Sequence, residues 1–291
     1  MTNLVQVLLL GIVLGGVYAL MASGLTLVFG VMRIVNIAHA SFMMIAAYIT
    51  YWAFHLFGVD PIVSILISMP LMFLLGLVIY RLIFYNLAGS ARYGELTVLL
   101  TFSLALIIEG GLGFFFTNTY RSTNPSYTAT AIFIGQFYLP EGQAYATLLS
   151  LGLIGLLWCF LFTTRTGYAI RATMQNRDAA QVVGVNVDRI SMVAFGIGIA
   201  LAGASGSMLS YLFPFYPGKH WEWIAILLSL IVLGGMGSLI GALIGAFMLA
   251  ICSAYVSFFV GPTWSFATFF LALFFILLFR PQGILGKKME A

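Results

Sequence analysis

Two places in the sequence carry polar or ionisable side chains within apolar runs. Glu109 is the only acidic residue well inside an apolar run, and a carboxylate there is costly unless it meets a partner or water. Asn36, His39 and Ser41 lie close together in a second apolar stretch, where polar groups have the same requirement. These four residues are candidates for the lining of a solute path. The alternatives are that Glu109 reaches water near a helix end and that His39 is a hydrogen-bonded packing residue.

Charge is concentrated in one segment, residues 164–189. It holds six of the 20 charged residues of the chain and must therefore lie in water. Asn176 suits a helix N-cap, Asp178 falls in the first turn where the helix dipole favours an anion, and Gly184 suits a helix end. The pattern predicts a short helix of about two turns. The small side chains of Ala179 and Ala180 in this helix would let another protein approach closely. The alternative interpretation is that the segment is only a solvated loop between two membrane spans.

The composition places these groups in an integral membrane protein. Hydrophobic residues make up 62% of the chain and charged residues 7%, with a mean hydropathy of +1.10, whereas a soluble domain is about 25% charged. The apolar runs are long and lack period-two alternation, which favours a helical bundle over a barrel. We predict an all-α membrane protein, a single domain over residues 1–291 whose polytopic bundle has eight or nine transmembrane helices, some of them broken.

Several function classes are excluded. The net charge of +4 is not gathered into a basic stripe, so nucleic acid is not a predicted partner. The phosphate-binding pattern G-x-x-x-x-G-K-[ST] is absent, and so are H-E-x-x-H and G-x-S-x-G. We therefore predict that this chain is not an enzyme and carries no metal or cofactor of its own.

Nine apolar runs can be drawn as crossings, at 4–31, 37–57, 62–82, 96–116, 143–163, 190–212, 223–242, 243–260 and 264–280. Ten of the twelve Lys and Arg residues then fall on one side, which the positive-inside rule assigns to the cytoplasm. This places the N-terminus outside and the C-terminus inside. On the cytoplasmic side would lie Arg33, Arg81, Arg92, Arg165, Arg171, Arg177, Arg189, Arg280, Lys287 and Lys288, and on the outer side Arg121 and Lys219. The longest outer loop, 117–142, is polar, aromatic and turn-rich, and suits either a docking surface or a plain connector.

Two glycine-rich places break the apolar pattern, at 24–30 and 234–238. Shifted by 204 residues they share six identities, including Gly30 with Gly234 and Met32 with Met236. Interrupted helices at matching positions of two halves point to a solute site near the membrane midplane, where freed backbone groups can face a watery path. Gly234, Gly235 and Gly237 are therefore path candidates. Close helix packing through small residues is the alternative.

The spacing of Asp178, Ala179, Ala180 and Gly184 resembles the EAA loop of ABC importer permeases, the cytoplasmic helix that docks into the ATPase subunit. Here Asp replaces the usual Glu, and the Ile-x-Leu-Pro tail is absent. The resemblance implies a coupling role for the following residues: Arg171, Arg177, Asp178, Ala179, Ala180 and Gly184.

Nearly the whole chain resembles the permease of branched-chain amino acid ABC importers. The stretches that carry the resemblance are GLTLVFGVMRIVNIAH at 24–39, TGYAIRAT at 166–173, GVNVDR at 184–189, LGGMGSLIGA at 233–242 and FRPQGILG at 279–286.

The resemblance implies a permease bundle in the bacterial inner membrane that moves a small solute by alternating access. Its implied partners are two cytoplasmic ATPase subunits that bind ATP-Mg, a second homologous permease, an extracytoplasmic solute-binding protein and the lipid bilayer. Related systems carry urea or short amides, which leaves the solute open. A secondary transporter coupled to ions is the competing class, and the scarcity of intramembrane ionisable residues counts against it.

Overall fold

The computed structural model describes residues 2–87, 90, 92–280 and 282–285. Over these residues the chain is mostly helical. The helices are α1 Thr2–Met32, α2 His39–Phe57, α3 Ile65–Ile79, α4 Tyr93–Phe116, α5 Glu141–Thr163, α6 Arg165–Gln175, α7 Arg177–Val182, α8 Val187–Leu212, α9 His220–Gly234, α10 Leu239–Phe259 and α11 Pro262–Phe279. A π-turn at Tyr80–Phe84 and a 3-10 turn at Tyr85–Leu87 prolong α3.

The loop between α4 and α5 contains the one departure from the all-α prediction in the described part of the chain. Strands β1 (Ala131–Ile134) and β2 (Phe137–Pro140) form an antiparallel hairpin. Its turn has Gly135 at φ +64°, a conformation that glycine adopts without a steric penalty. The four-residue strands are too short for their pattern to stand out in so apolar a sequence.

Eight described helices are long and apolar enough to cross a membrane, which confirms the polytopic bundle. The seventh and eighth predicted crossings, 223–242 and 243–260, are divided differently from our expectation. We placed the boundary between residues 242 and 243, but both lie inside α10, and the break falls between Gly234 and Leu239. α9 therefore has only 15 residues, about 22 Å of helix.

The bundle has two distinct ends, which we name after their loops. At the hairpin end, Arg121 pairs with Phe215 in an isolated bridge, and Gln6 donates to the Tyr138 carbonyl at 2.7 Å. At the α7 end, Arg33 donates to the Met174 carbonyl at 3.0 Å. The start of α1 thus lies at the hairpin end and the end of α11 at the opposite end, as an odd number of crossings requires.

The basic residues divide between these ends as the nine-crossing scheme predicts. Eight described arginines lie at the α7 end, in turns, near helix ends or on α6, whereas Arg121 and Lys219 lie at the hairpin end. Lys287 and Lys288 lie outside the described residues.

α1 is one continuous helix, and this corrects the prediction of an interruption at 24–30. A Cβ built on Gly24 would lie 2.7 Å from the Gly198 carbonyl oxygen of α8, and one on Gly30 would overlap the Met174 side chain. These glycines allow neighbouring helices to approach closely. The chain turns only after Met32, where Arg33 has φ +57°. One of the two helix breaks that we predicted near the midplane is therefore absent.

Buried hydroxyl groups join three helices in the half of the bundle nearer to the hairpin end. Thr50 of α2 donates to Ser207 of α8 at 2.8 Å, and Ser68 of α3 lies 2.7 Å from the same hydroxyl. All three residues are fully buried. Each polar group is satisfied without water, which is the condition for burying it in an apolar interior.

Candidate functional site

The charged segment folds into two short helices at the α7 end. Thr164 caps α6 by accepting from the Gly167 amide at 2.9 Å, and Asn176 caps α7 by accepting from the Ala179 amide at 3.0 Å. α7 ends where Gly184 takes φ +89° and donates to the Gln181 carbonyl. The predicted short helix, its cap and its end are confirmed. The sequence analysis did not predict α6, whose charges we assigned to a loop.

One side of the exposed surface of α7 is apolar, beside the exposed polar residues Asp178 and Gln181. Val182 is 86% exposed and Val183 76% exposed, next to the exposed Ala179. Ala180, in contrast, is only 3% exposed and packs inward. Exposed valines on a segment whose charges keep it in water are a common mark of a binding surface. The sequence analysis missed both valines, although their place beside the two alanines was visible.

The two arginines predicted at the rim make contacts within the chain. Arg171 donates to the Leu161 carbonyl at 3.0 Å and lies 4.1 Å from the Phe162 ring centre. Arg177 pairs with Asp188 at 3.5 Å across the turn between α7 and α8. Both side chains therefore hold α6 and α7 against the bundle, whatever else they contact.

The glycine-rich break between α9 and α10 lies at the α7 end. Gly235 has φ +102° and Gly237 φ +83°, so both need a residue without a side chain. Ser238 then caps α10 by accepting from the Gly241 amide at 3.0 Å. A Cβ built on Gly237 would lie 3.5 Å from the Gly30 Cα, so the two places aligned by the 204-residue shift do meet.

The segment after α11 closes this break. The Ile284 amide donates to the Leu233 carbonyl at 2.8 Å, and the Leu285 amide donates to the Gly234 carbonyl at 3.1 Å. These are two of the four carbonyls that a helix leaves unpaired at its C-terminus. Gly283, at φ +75°, packs directly on the Val232 carbonyl and leaves no room for a side chain.

Asn36, His39 and Ser41 are all completely buried. Neither the Asn36 amide, the His39 ring nitrogens nor the Ser41 hydroxyl has a hydrogen-bond partner of good geometry among the described residues. The His39 ring lies at the crossing of α1 and α8, since a Cβ on Gly24 would be 3.1 Å from its Cε1 atom. Buried polar groups without partners are uncommon and are expected to meet water or a ligand in another conformation.

Glu109 lies nearer to the hairpin end and ties α4 to the start of α9. Its carboxylate accepts from the Trp221 indole Nε1 at 3.0 Å and lies 4.0 Å from the His220 Nε2. The side chain is 31% exposed, whereas His220 is fully buried. Glu109 is therefore separate in place from Asn36, His39 and Ser41, and the structure does not bring the path candidates into one site.

A cavity of about 770 Å³ opens at the hairpin end between α1, α5, α10 and α11. Its walls combine aromatic rings, such as Tyr18 and Phe269, with neutral polar groups. The polar side chains are Asn3, Gln6, Tyr138, Gln143, Ser253, Ser257 and Ser265. A mixed lining of this kind suits a small solute. The sequence analysis missed it, because isolated serines and glutamines are unremarkable until the helices are packed.

A half-buried phenol helps to hold the hairpin end together. Tyr127 donates to the Asp60 carboxylate at 3.1 Å and thereby links the α4–α5 loop to the α2–α3 loop. Burial, together with the Asp60 charge, raises the pKa of Tyr127. The phenol therefore stays protonated and keeps donating at neutral pH.

Residues 7–278 match the family model described as branched-chain amino acid transport system / permease component. The chain is 27% identical to the high-affinity branched-chain amino acid transport system permease protein LivH of Salmonella typhimurium, over 95% of this chain and 94% of LivH. It is 27% identical to the corresponding protein BraD of Pseudomonas aeruginosa, over 97% and 95%. LivM of Salmonella typhimurium is 26% identical, over 92% of this chain and 68% of LivM.

No solved structure shows a significant match. The family model covers nearly all of the described bundle, including α7 and the break between α9 and α10. The chain therefore belongs to the permease family of branched-chain amino acid transport systems and is a membrane transport subunit, not an enzyme.

Proposed function

We propose that this chain is a permease subunit of an ATP-driven importer for branched-chain or other small amino acids, with α7 as the helix that docks into an ATPase. The observation that carries the proposal is the exposed apolar face of α7, formed by Ala179, Val182 and Val183. The helix is capped at both ends, so it can transmit a movement as a rigid element.

The orientation follows from charge. Eight described arginines lie at the α7 end, and by the positive-inside rule they support an orientation with that end in the cytoplasm and the hairpin end outside. An ATPase would then reach α7, and a solute-binding protein would meet the hairpin end. The exposed Phe133 and Ile134 of the hairpin offer an apolar contact for that partner.

The mechanism that fits these parts is alternating access. Closure of two ATPases on ATP moves α7, and α6 and α8 carry the movement into the bundle through the Arg171 and Arg177 contacts. The cavity at the hairpin end receives the solute. A second permease completes the path. LivM, which like LivH is named as a permease protein of a high-affinity branched-chain amino acid transport system, is also similar to this chain. ATP-Mg binds to the ATPases, and this chain needs no cofactor.

Copurification tests this proposal. The chain is extracted from its native membrane in mild detergent, and the proteins that accompany it are identified by mass spectrometry. Two ATPase subunits and a second permease are the expected companions, with ATP hydrolysis stimulated by a loaded binding protein. A lone and stably folded homo-oligomer would instead favour an ion-coupled secondary transporter.

We propose that Asn36, His39 and Ser41 line the path in another state of the cycle, beside the break at Gly234, Gly235 and Gly237. Ser41→Cys should be unreactive to a membrane-impermeant thiol reagent in the resting complex and become reactive when ATP is added, because opening brings water to unpartnered polar groups. Labelling is measured by gel shift in vesicles. A matched variant, Ala46→Cys, lies on the same helix and is equally buried, so reactivity at both positions would mean unfolding and not opening.

We also propose that the charge of Glu109 acts on the solute. Glu109→Gln keeps an oxygen that accepts from Trp221 but removes the charge, so we expect lower uptake at unchanged thermal stability. Glu109→Ala removes the acceptor as well and should cost about 1–3 kcal/mol of stability. Uptake and melting temperature are measured for both. If Glu109→Gln takes up solute normally and Glu109→Ala is unstable, the carboxylate serves only to connect α4 to α9 and does not act on the solute.

A further inference from the structure

An apolar groove of about 1110 Å³ lies between α3 and α5, with α8 as its floor. It belongs to neither the hairpin-end cavity nor the α7 surface. The deep part of the groove has no polar side chain and is formed by Met69, Phe73, Leu153, Leu156, Leu157, Val193, Ile197 and Leu201. A zwitterionic solute would find no partner there, because every charged group would lose its water without compensation.

The shallow end of the same groove is basic. Arg165 and Arg189 line it together with Thr166 and Asn186. Both arginines are exposed, and neither forms an ion pair with a described residue. The Asn186 oxygen caps α8 by accepting from the Arg189 amide, which leaves the Asn186 amide group free to donate. The shallow end thus offers hydrogen-bond donors and two positive charges to an anion.

The dimensions match one leaflet of a bilayer. From Arg189 to Leu201 the groove follows α8 for about 18 Å at 1.5 Å per residue. Half of a hydrocarbon core is about 15 Å thick. The arginines therefore lie at the level of the headgroups when the apolar walls lie at the level of the acyl chains.

We propose that this groove binds an anionic phospholipid, with its phosphate between Arg165 and Arg189 and an acyl chain along α8. Basic pockets between transmembrane helices are known to select anionic headgroups. The ligand would join α6 to α8, since each of these helices supplies one arginine.

Native mass spectrometry of the full-length chain, purified with its accompanying subunits, tests the proposal. Dioleoyl phosphatidylglycerol and dioleoyl phosphatidylcholine are added in equal amounts. Because two arginines lie near the headgroup, the anionic lipid should bind roughly ten- to thirty-fold more tightly than the zwitterionic one. The double variant Arg165→Gln/Arg189→Gln should lose most of this preference, whereas Arg92→Gln, an exposed arginine at the same end, should keep it.

A second pair of variants tests the apolar part. Val193→Trp fills the groove and should reduce retention of both lipids, while Leu148→Trp on the exposed face of α5 should not. An unchanged preference in the double arginine variant would overturn the proposal. So would equal loss in Arg92→Gln, or crosslinking of Val193→Cys to another protein subunit in place of lipid.

Discussion

We expect Ala179→Arg to lower solute uptake at least about tenfold while the bundle stays folded. Ala179 is exposed on α7 beside Val182 and Val183, so a long charged side chain would keep another protein from this face without touching the core. Loss of a central contact in an interface costs about 2 kcal/mol or more, which is more than tenfold in affinity. Uptake in vesicles and ATP hydrolysis by the purified complex measure the effect, and hydrolysis should continue without transport.

Ala179→Ser is the matched control, because it keeps the size of the side chain and should transport normally. Ala180→Arg is not equivalent. Ala180 is buried, so this variant should also lower the melting temperature. Normal uptake by Ala179→Arg would exclude α7 as the docking helix.

The largest effect on stability is expected from Gly206→Ala. A Cβ at this position of α8 would overlap the Met43 carbonyl oxygen and lie 2.8 Å from the Ala46 side chain of α2. Backbone atoms cannot rotate away, so α2 and α8 must separate. Overpacking of this kind typically costs about 1–3 kcal/mol, and a backbone contact lies at the upper end of that range. The melting temperature in detergent should fall, and the yield of folded protein with it.

Gly155→Ala on α5 provides the control for this substitution. A Cβ there meets nothing within 4 Å, and alanine is a better helix former than glycine by about 1 kcal/mol. This variant should be as stable as the parent or more so. Equal melting temperatures for the two variants would show that α2 and α8 are not packed at Gly206 as described.

The sequence predicted what depends on local patterns. Hydropathy located the long helices, and the cap at Asn176 and the glycine at Gly184 set the limits of α7, because both act within one helical turn. It did not predict how glycines are used. Gly30 and Gly235 look alike in the sequence, yet Gly30 admits the Met174 side chain and Gly235 turns the chain at a positive φ.

The candidate site was predictable only in part, because its residues depend on contacts that local sequence patterns do not contain. Glu109 stands out in an apolar run, but its partner Trp221 is 112 positions away. Ala179 and Ala180 are neighbours of one type, and only the packing of α7 against α6 and α8 makes one exposed and the other buried. Contacts of long sequence separation decide these roles, and they are absent from motifs and periodicity.

The pairing of Ile284 and Leu285 with the last carbonyls of α9 has a consequence for the order of biosynthesis. The ribosome translates α9 first, then α10 and α11, and only then residues 283–285, which close the C-terminal end of α9. A carbonyl without a partner in an apolar interior costs several kcal/mol, so α9 stays incomplete while two more helices are inserted. Its last turn is finished only when residues 283–285 leave the ribosome and fold back. A stop codon just before Gly283 would therefore release a chain that has inserted every helix and completed all of them except α9.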